Sequence, residues 1–148
     1  MFAWLELRTY CHATEDREKV AKALAFICPQ ARVTISKAEG YNRNPILIMT
    51  ARTDSSRAIK DFWRLMRREN LAGTIMESGG RMVDDDGVLH LRLGKQEAYL
   101  GIGALTEHED VVSVRIKIAS YSPQEKRKPL EILGETVEEL AKADVSHA

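Results

Sequence analysis

Alternation of apolar and polar residues with a period of two is the feature that most constrains the fold of this chain. It is clearest in residues 112–118, where Val112, Val114, Ile116 and Ile118 are separated by polar residues. The same period occurs in residues 2–11, 32–36 and 89–93, and residues 46–52 are apolar and β-like. Because successive side chains of a strand point to opposite faces, this pattern is typical of an antiparallel sheet with one apolar and one polar face.

Amphipathic segments between these strands predict helices on the apolar face. The first helix has Thr14 as its predicted N-cap, buries Val20, Leu24 and Ile27, and stops before Pro29. The second covers about residues 56–70. Glycines at positions 73, 79 and 80 weaken any long helix in residues 71–83. The predicted fold class is therefore α+β: a single two-layer domain, with helices packed on one face of an antiparallel-rich sheet.

The length of 148 residues fits one domain over residues 1–148. We place its core at about residues 2–122 and predict an acidic helix at about residues 129–142. No apolar stretch approaches the roughly 20 residues that cross a bilayer, so we expect no membrane partner. Cys11 and Cys28 lack metal-ligand spacing and are expected to be reduced thiols of a cytoplasmic protein.

The zero net charge conceals an uneven distribution. Residues 52–68 contain six basic and two acidic residues, whereas residues 130–148 contain five acidic residues and one basic residue. On a helical wheel, the bases of the second predicted helix share an arc of about 100° opposite its apolar side. We call this set the basic stripe: Arg57, Lys60, Arg64, Arg67 and Arg68. A solvated helix face is the ordinary reading of such a stripe, and phosphate binding is the functional one.

The polar face of the predicted sheet is a second candidate surface. Its basic residues include Arg8, Arg92, Arg115 and Lys117. A face with bases and a few aromatic rings suits single-stranded or loop RNA, although a solvated antiparallel face shows the same alternation. Tyr41 and Arg43 in the loop GYNRNP are further candidates for nucleotide contacts.

The stretch from Leu89 to Gly103 begins as a strand and is then interrupted by Gly94. We predict a bulge there, with Lys95 and Gln96 projecting at the sheet edge as a cation and an amide that contact RNA. Tyr99 and Leu100 would then return the chain to the core. The alternative is a bulged hairpin in which Gln96 bonds its own backbone.

Motifs for catalysis are absent from the sequence. There is no phosphate-binding loop, no GxSxG and no HExxH, and the acids at residues 84–86 and 107–110 lack a recognised metal-ligand spacing. We therefore predict a protein that is not an enzyme and needs no metal or cofactor.

Several motifs resemble a small archaeal family of predicted RNA-binding proteins, proposed as exosome-associated subunits. The resemblance covers roughly residues 3–122. Its most specific parts are the sequence Leu93-Gly94-Lys95-Gln96-Glu97-Ala98-Tyr99-Leu100-Gly101 and its spacing to Val114-Arg115-Ile116-Lys117-Ile118. The resemblance implies a fold similar to that of a ribosomal protein that binds 5S RNA, and a role near RNA processing. It supplies no catalytic residues.

The leading interpretation is thus an RNA-binding protein, an accessory subunit of archaeal RNA processing or degradation, with RNA and exosome or ribosome-related proteins as partners. One alternative is a protein-interaction module whose acidic C-terminal helix, with Glu135, Glu138 and Glu139, docks on a basic partner or on the basic stripe. The other is a small metal-dependent hydrolase using the acids at residues 84–86. Open sheet edges are compatible with a monomer or a weak homodimer.

Overall fold

In the computed structural model, the residues described are 2–39 and 45–119, without the side chains of residues 39, 79 and 80. These ranges contain five strands, β1 (Phe2–Cys11), β2 (Arg32–Glu39), β3 (Pro45–Thr53), β4 (Val88–Gly94) and β5 (Val111–Ile118). The same described residues form four helices, α1 (Arg17–Ile27), α2 (Ser56–Arg68), α3 (Ala72–Met82) and α4 (Lys95–Tyr99).

All the strands pair antiparallel in one sheet with the order β2-β3-β1-β5-β4. The first strand of the chain is therefore the central strand. Its alternation places Leu5, Leu7 and Cys11 in the core. Leu7 lies opposite Ala51 of β3 and Val114 of β5, which are fully buried on the same face. The predicted α+β fold with a largely antiparallel sheet is confirmed.

Helices α1 and α2 cover the apolar face of the sheet. Val20, Leu24 and Ile27 of α1 are buried as predicted. The N-cap of α1 is Asp16, however, whose carboxylate accepts a hydrogen bond from the N–H of Glu18 at 2.9 Å; the prediction of Thr14 as the cap is wrong. In α2, the hydroxyl of Ser55 accepts from the N–H of Ala58 and so caps the helix.

The apolar side of α2 is buried as the helical wheel predicts. Trp63 contacts Phe62 and Phe2, with ring centroids 5.4 and 5.7 Å apart. Ile59 and Met66 are also almost fully buried. The basic stripe consequently points away from the sheet.

The segment whose glycines weaken a helix prediction forms α3, over Ala72–Met82. Ile75 is fully buried and Ala72 nearly so. Burial of this apolar side stabilises the helix more than the glycines weaken it, because tertiary packing provides most of the stability of helices in proteins.

The chain after β4 also differs from the expectation. Gly94 ends the strand and the next five residues form α4, so the predicted bulge with a projecting Lys95 is wrong. Tyr99 is half-buried, but Leu100 is 69% exposed and does not return the chain to the core. Residues 95–99 pack against α1 and the ends of β4 and β5.

Strand β2 is less covered than its alternation indicates. Val33 and Ile35 point to the same side as buried Ala51 and Met49, yet they are 43% and 38% exposed. β2 is one of the two edge strands of the sheet, and the helices of the described part of the chain do not extend over it.

Both cysteines are buried free thiols, and burial raises their pKa values. In the two described ranges, no helix is long and apolar enough to span a membrane. The acidic helix predicted at about residues 129–142 lies outside the described residues.

Candidate nucleic-acid interface

The sheet face opposite the helices carries a concentration of basic side chains, and we call it the open face. Strand register places on it Arg8 of β1, Arg32 of β2, Arg52 of β3, Arg92 of β4, and Arg115 and Lys117 of β5. Tyr10 lies on the same face and is 46% exposed. Glu6 is an acid among them, and Asp54 and Glu109 line depressions of the same face. The polar side of the predicted sheet therefore forms one continuous basic surface.

Trp4, just after a bulge in β1, is a second aromatic ring on this face. Phe2 lies opposite Ile118 and Trp4 opposite Lys117, so two positions of β1 match one of β5. The extra residue turns Phe2 towards α2, whereas Trp4 keeps the face of Glu6, two residues further along the strand. In a regular strand, residues two apart would share a face.

Trp4 lies between two guanidinium groups. The guanidinium carbon of Arg52 is 4.6 Å from the Trp4 ring centroid, and that of Arg115 is 5.5 Å away. Both arginines are also paired with Glu6, at 3.5 and 3.2 Å. Opposite charges and cation–π contacts thus hold the two arginines and the indole in one arrangement before any ligand arrives.

Tyr10 marks the other end of the open face. The guanidinium carbon of Arg8 lies 5.8 Å from its ring centroid. Beside it is a depression lined by Arg92 and Arg115 and also by Glu109. Since Trp4 and Tyr10 are six residues apart on one strand, their Cα atoms are separated by about 20 Å.

The basic stripe lies on the opposite side of the molecule from the open face. The apolar side of α2 packs against the sheet, so the basic side of the same helix points away from it. Arg57, Lys60, Arg64 and Arg68 are exposed. Arg64 forms an ion pair with Asp61 at 2.7 Å. The sequence predicts both basic surfaces, and the packing of the apolar side of α2 on the sheet directs them away from each other.

Lys95 has a structural position rather than a projecting one. It is 2% exposed, and its Nζ donates to Glu15 at 2.8 Å and to the carbonyl oxygen of Tyr10 at 2.9 Å. The carboxylate of Asp110 forms an ion pair with the same Nζ at 2.8 Å. Burial lowers the pKa of Lys95, but these carboxylates outweigh it and hold the pKa above its usual range. Gln96 is exposed and donates to Asp110.

Two cations of the open face are also bonded to backbone carbonyl oxygens: Lys117 donates to that of Asp86, and Arg92 to that of His108 at 2.7 Å. Next to them, Asp84 accepts from His90 and from two backbone N–H groups of its own turn. Burial acts to raise the pKa of Asp84, but these hydrogen bonds hold it below its ordinary value. Among the residues of the two described ranges, no group of three or more His, Cys, Asp or Glu side chains is placed to bind a metal ion.

Sequence reasoning assigned Arg8, Arg92, Arg115 and Lys117 to the face on which the structure places them. It missed Trp4, because this apolar ring occupies a position that the alternation assigns to the polar face. It missed Arg52, because this residue was counted with the charges of the next helix. Tyr41 and Arg43 lie outside the described residues.

Comparison with known proteins agrees with this picture. A family model described as RNA binding matches residues 4–118. The RNA-binding protein PAB1135 of Pyrococcus abyssi is 35% identical, over 90% of this chain and 92% of that protein.

Two solved structures are similar over almost the whole chain. A DUF54-family protein from Archaeoglobus fulgidus is 32% identical with a TM-score of 0.78, covering 92% of this chain and 99% of that one. A DUF54 protein from Methanothermobacter thermautotrophicus is 29% identical with a TM-score of 0.77, covering 93% and 98%. The chain belongs to the archaeal protein family described as RNA binding.

Proposed function

We propose that this protein binds single-stranded or loop RNA on the open face of its sheet. The observation that carries the proposal is the composition of that face: several cations and two aromatic side chains share one uncovered surface, on which the cations outnumber the acids Glu6, Asp54 and Glu109. The matching family model and the name of the Pyrococcus abyssi relative support the same role.

The chemistry of the face favours unpaired RNA over duplex. Arginines neutralise phosphates through planar forks, and exposed rings stack on bases that are not already stacked in a helix. The Cα atoms of Trp4 and Tyr10 are about 20 Å apart, whereas neighbouring stacked bases of a nucleic-acid strand are about 3.4 Å apart. The two rings would therefore hold two separate bases, with phosphates between them on Arg8, Arg52 and Arg115.

Among the residues predicted from sequence, Arg8, Arg92, Arg115 and Lys117 belong to this proposed contact surface. Gln96 is exposed at its border. The basic stripe is a second phosphate-binding surface for RNA long enough to pass around the molecule. We do not assign Lys95 an RNA contact, because its three donors are used inside the protein.

The experiment is fluorescence anisotropy of a labelled single-stranded RNA and its duplex at two salt concentrations. Arg8→Ala/Arg32→Ala removes two charges from the open face, and Arg57→Ala/Lys60→Ala removes two from the basic stripe as a matched control. We expect the first variant to weaken binding and to reduce the salt slope by about 0.7 for each phosphate that it no longer neutralises. The control should change short-RNA binding much less.

Equal weakening in the two variants would show that any basic surface suffices and would contradict the assignment to the open face. No binding by the unsubstituted protein at low salt would contradict the proposed function itself. A preference for the duplex would overturn the single-stranded specificity.

The resemblance to exosome-associated proteins extends the proposal to a role: an accessory subunit that brings RNA to processing or degradation machinery in the cytoplasm. Mixing the purified protein with a reconstituted archaeal exosome tests this by size-exclusion chromatography. Separate elution, with and without RNA, would contradict the association.

A further inference from the structure

A cleft of about 660 Å³ lies at the β4 edge of the sheet, next to the open face. It is bounded by α3, by β4 and by residues 105–107. Two isolated bridges, Val83 with Leu89 and Leu93 with Leu105, cover the two ends of β4 on this side. The cleft lies between them, where the middle of the edge strand has no neighbouring strand.

Backbone polar groups face this cleft. The N–H of Asp84 donates to Val88, and the N–H of Thr106 donates to Arg92, so even-numbered residues of β4 direct their backbone groups outwards. The C=O of His90 and the N–H of Arg92 lie between these two bonds. Within residues 2–39 and 45–119, no hydrogen bond occupies either group on this side. An acceptor and a donor are therefore presented together at the edge of the strand.

The walls of the cleft suit a flat, largely apolar ring. Met82, Val83 and Leu105 provide half-buried apolar surface, and Thr74 and Thr106 add hydroxyl groups. An apolar cavity with a few converging polar groups is the ordinary form of a small-ligand site, and its volume is in the usual range of roughly 300–1,000 Å³.

Charges at the rim fit a nucleotide rather than a neutral molecule. Arg81 and Arg92 are exposed there. Two acids also line the rim: Asp84, whose carboxylate is already bound by His90 at 2.7 Å and by two backbone N–H groups, and the exposed Glu107. The two guanidinium groups thus provide forks for phosphates on either side of a bound base.

The cleft is continuous with the open face. His90, Leu91 and Arg92 line both the cleft and the depression that contains Arg8 and Arg115. An RNA strand that follows the open face to β4 reaches the cleft without crossing a helix.

We propose that this cleft binds one unpaired nucleobase of an RNA held on the open face, with Arg81 and Arg92 contacting the phosphates that flank it. Unpaired bases in RNA are recognised along their edges by hydrogen bonds, and the C=O of His90 and the N–H of Arg92 provide one acceptor and one donor. This inference rests on the proposed function, because the open face must bring the RNA strand to β4.

Thr74→Trp fills the cleft from α3, and Gly73→Trp is the matched control on the same helix, where an added side chain meets open space. We expect Thr74→Trp to weaken binding of single-stranded RNA about tenfold, the loss of about 1.4 kcal/mol, and Gly73→Trp to leave it unchanged. In the unsubstituted protein, RNA carrying one 4-thiouridine should cross-link to peptides containing residues 82–83 or 105–106. Circular dichroism checks that each variant is folded.

Arg81→Ala is a second variant that leaves the apolar walls intact, and it should weaken binding about threefold with less cross-linking. If Arg8→Ala/Arg32→Ala weakens RNA binding while both cleft variants bind normally and no cross-link maps to the cleft, the inference is overturned and the proposed function stands. If the unsubstituted protein binds no RNA at low salt, both are overturned.

Discussion

At the scale of single residues, the aromatic rings of the open face differ in how firmly they are held. Trp4 is fixed by Arg52 and Arg115, which Glu6 in turn holds in place. Tyr10 is 46% exposed and contacts one guanidinium, that of Arg8. Tyr10 is therefore the better residue for testing base stacking, since its removal disturbs less of the protein.

Tyr10→Ala should weaken binding of single-stranded RNA by about 1–3 kcal/mol, the usual loss when a stacking ring is removed. Tyr10→Phe keeps the ring and serves as the control, so it should bind within about twofold of the unsubstituted protein. Fluorescence anisotropy titrations measure both. Equal weakening in the two variants would assign the contact to the hydroxyl and contradict stacking.

Lys95→Met should lower the free energy of unfolding by about 2–3 kcal/mol, because it leaves Glu15 and Asp110 without their shared cation. The loss is smaller than for a fully buried pair, since both carboxylates retain contact with water. Urea unfolding measures it, with the exposed Lys60→Met as control. The affinity of the folded variant for RNA should be unchanged. A decrease in RNA affinity of a variant that remains folded would support the RNA contact of Lys95 that the sequence predicts.

The same cluster predicts a dependence of stability on acid. Burial raises the pKa of Asp110, but its bonds with Lys95 and Gln96 outweigh this and hold it below the ordinary 3.8. A carboxyl group whose pKa is depressed by folding stabilises the folded protein at pH values above its ordinary pKa. This contribution is lost as the pH falls below about 3.8. Asp110→Asn should therefore flatten the fall in urea midpoint between pH 5 and pH 2.5.

Asp54→Asn, at an exposed position, is the control for that measurement, and it should keep the slope of the unsubstituted protein. An unchanged slope in Asp110→Asn would show that Lys95 contributes no charge stabilisation through Asp110.

Residue roles were predictable from sequence where they follow from periodicity. Alternation placed Arg8 and Arg115 on the polar face, whereas the environment of Lys95 depends on Glu15 and Asp110, which are far apart in sequence and meet only after folding. No local sequence pattern indicates that these three residues come together in the folded protein.

At the scale of elements, the strands and the first two helices were predictable because each has a clear apolar period. α3 and α4 were not. The glycines of α3 oppose helix formation locally, and burial of Ile75 decides the outcome. The step into α4 follows a strand directly, so no separating turn marks it.

Two glycines with open space around them should respond in opposite directions. Gly73 lies in α3, where alanine is the better helix former, so Gly73→Ala should raise the free energy of unfolding by about 0.5 kcal/mol. Gly101 has a φ of +79°, so Gly101→Ala should lower it by about 1 kcal/mol. Urea unfolding of both variants measures the difference, and equal shifts would contradict the backbone explanation.

At the scale of the whole molecule, the helical layer separates the basic stripe from the open face. A short RNA cannot contact both surfaces at once. The length of the RNA therefore determines whether the basic stripe contributes to binding in addition to the open face.

With RNA of about ten nucleotides or fewer, within the usual site size of a single-strand-binding surface, Arg57→Ala/Lys60→Ala should leave the affinity within about twofold. With RNA several times longer, the same variant should weaken binding and reduce the salt slope. Anisotropy at matched salt measures both lengths. A large decrease in affinity for the short RNA would place the main binding surface on α2.

The central position of β1 has a consequence for how the protein is made. Synthesis proceeds at about 5–20 residues per second, so β1 waits roughly 5–20 s for β5, its partner on one side, to be translated. Such distant pairing also slows folding. The open face takes residues from all five strands of the sheet, β1 to β5. A nascent polypeptide whose last strand has not yet left the ribosome therefore has no assembled surface that could bind nearby transcripts.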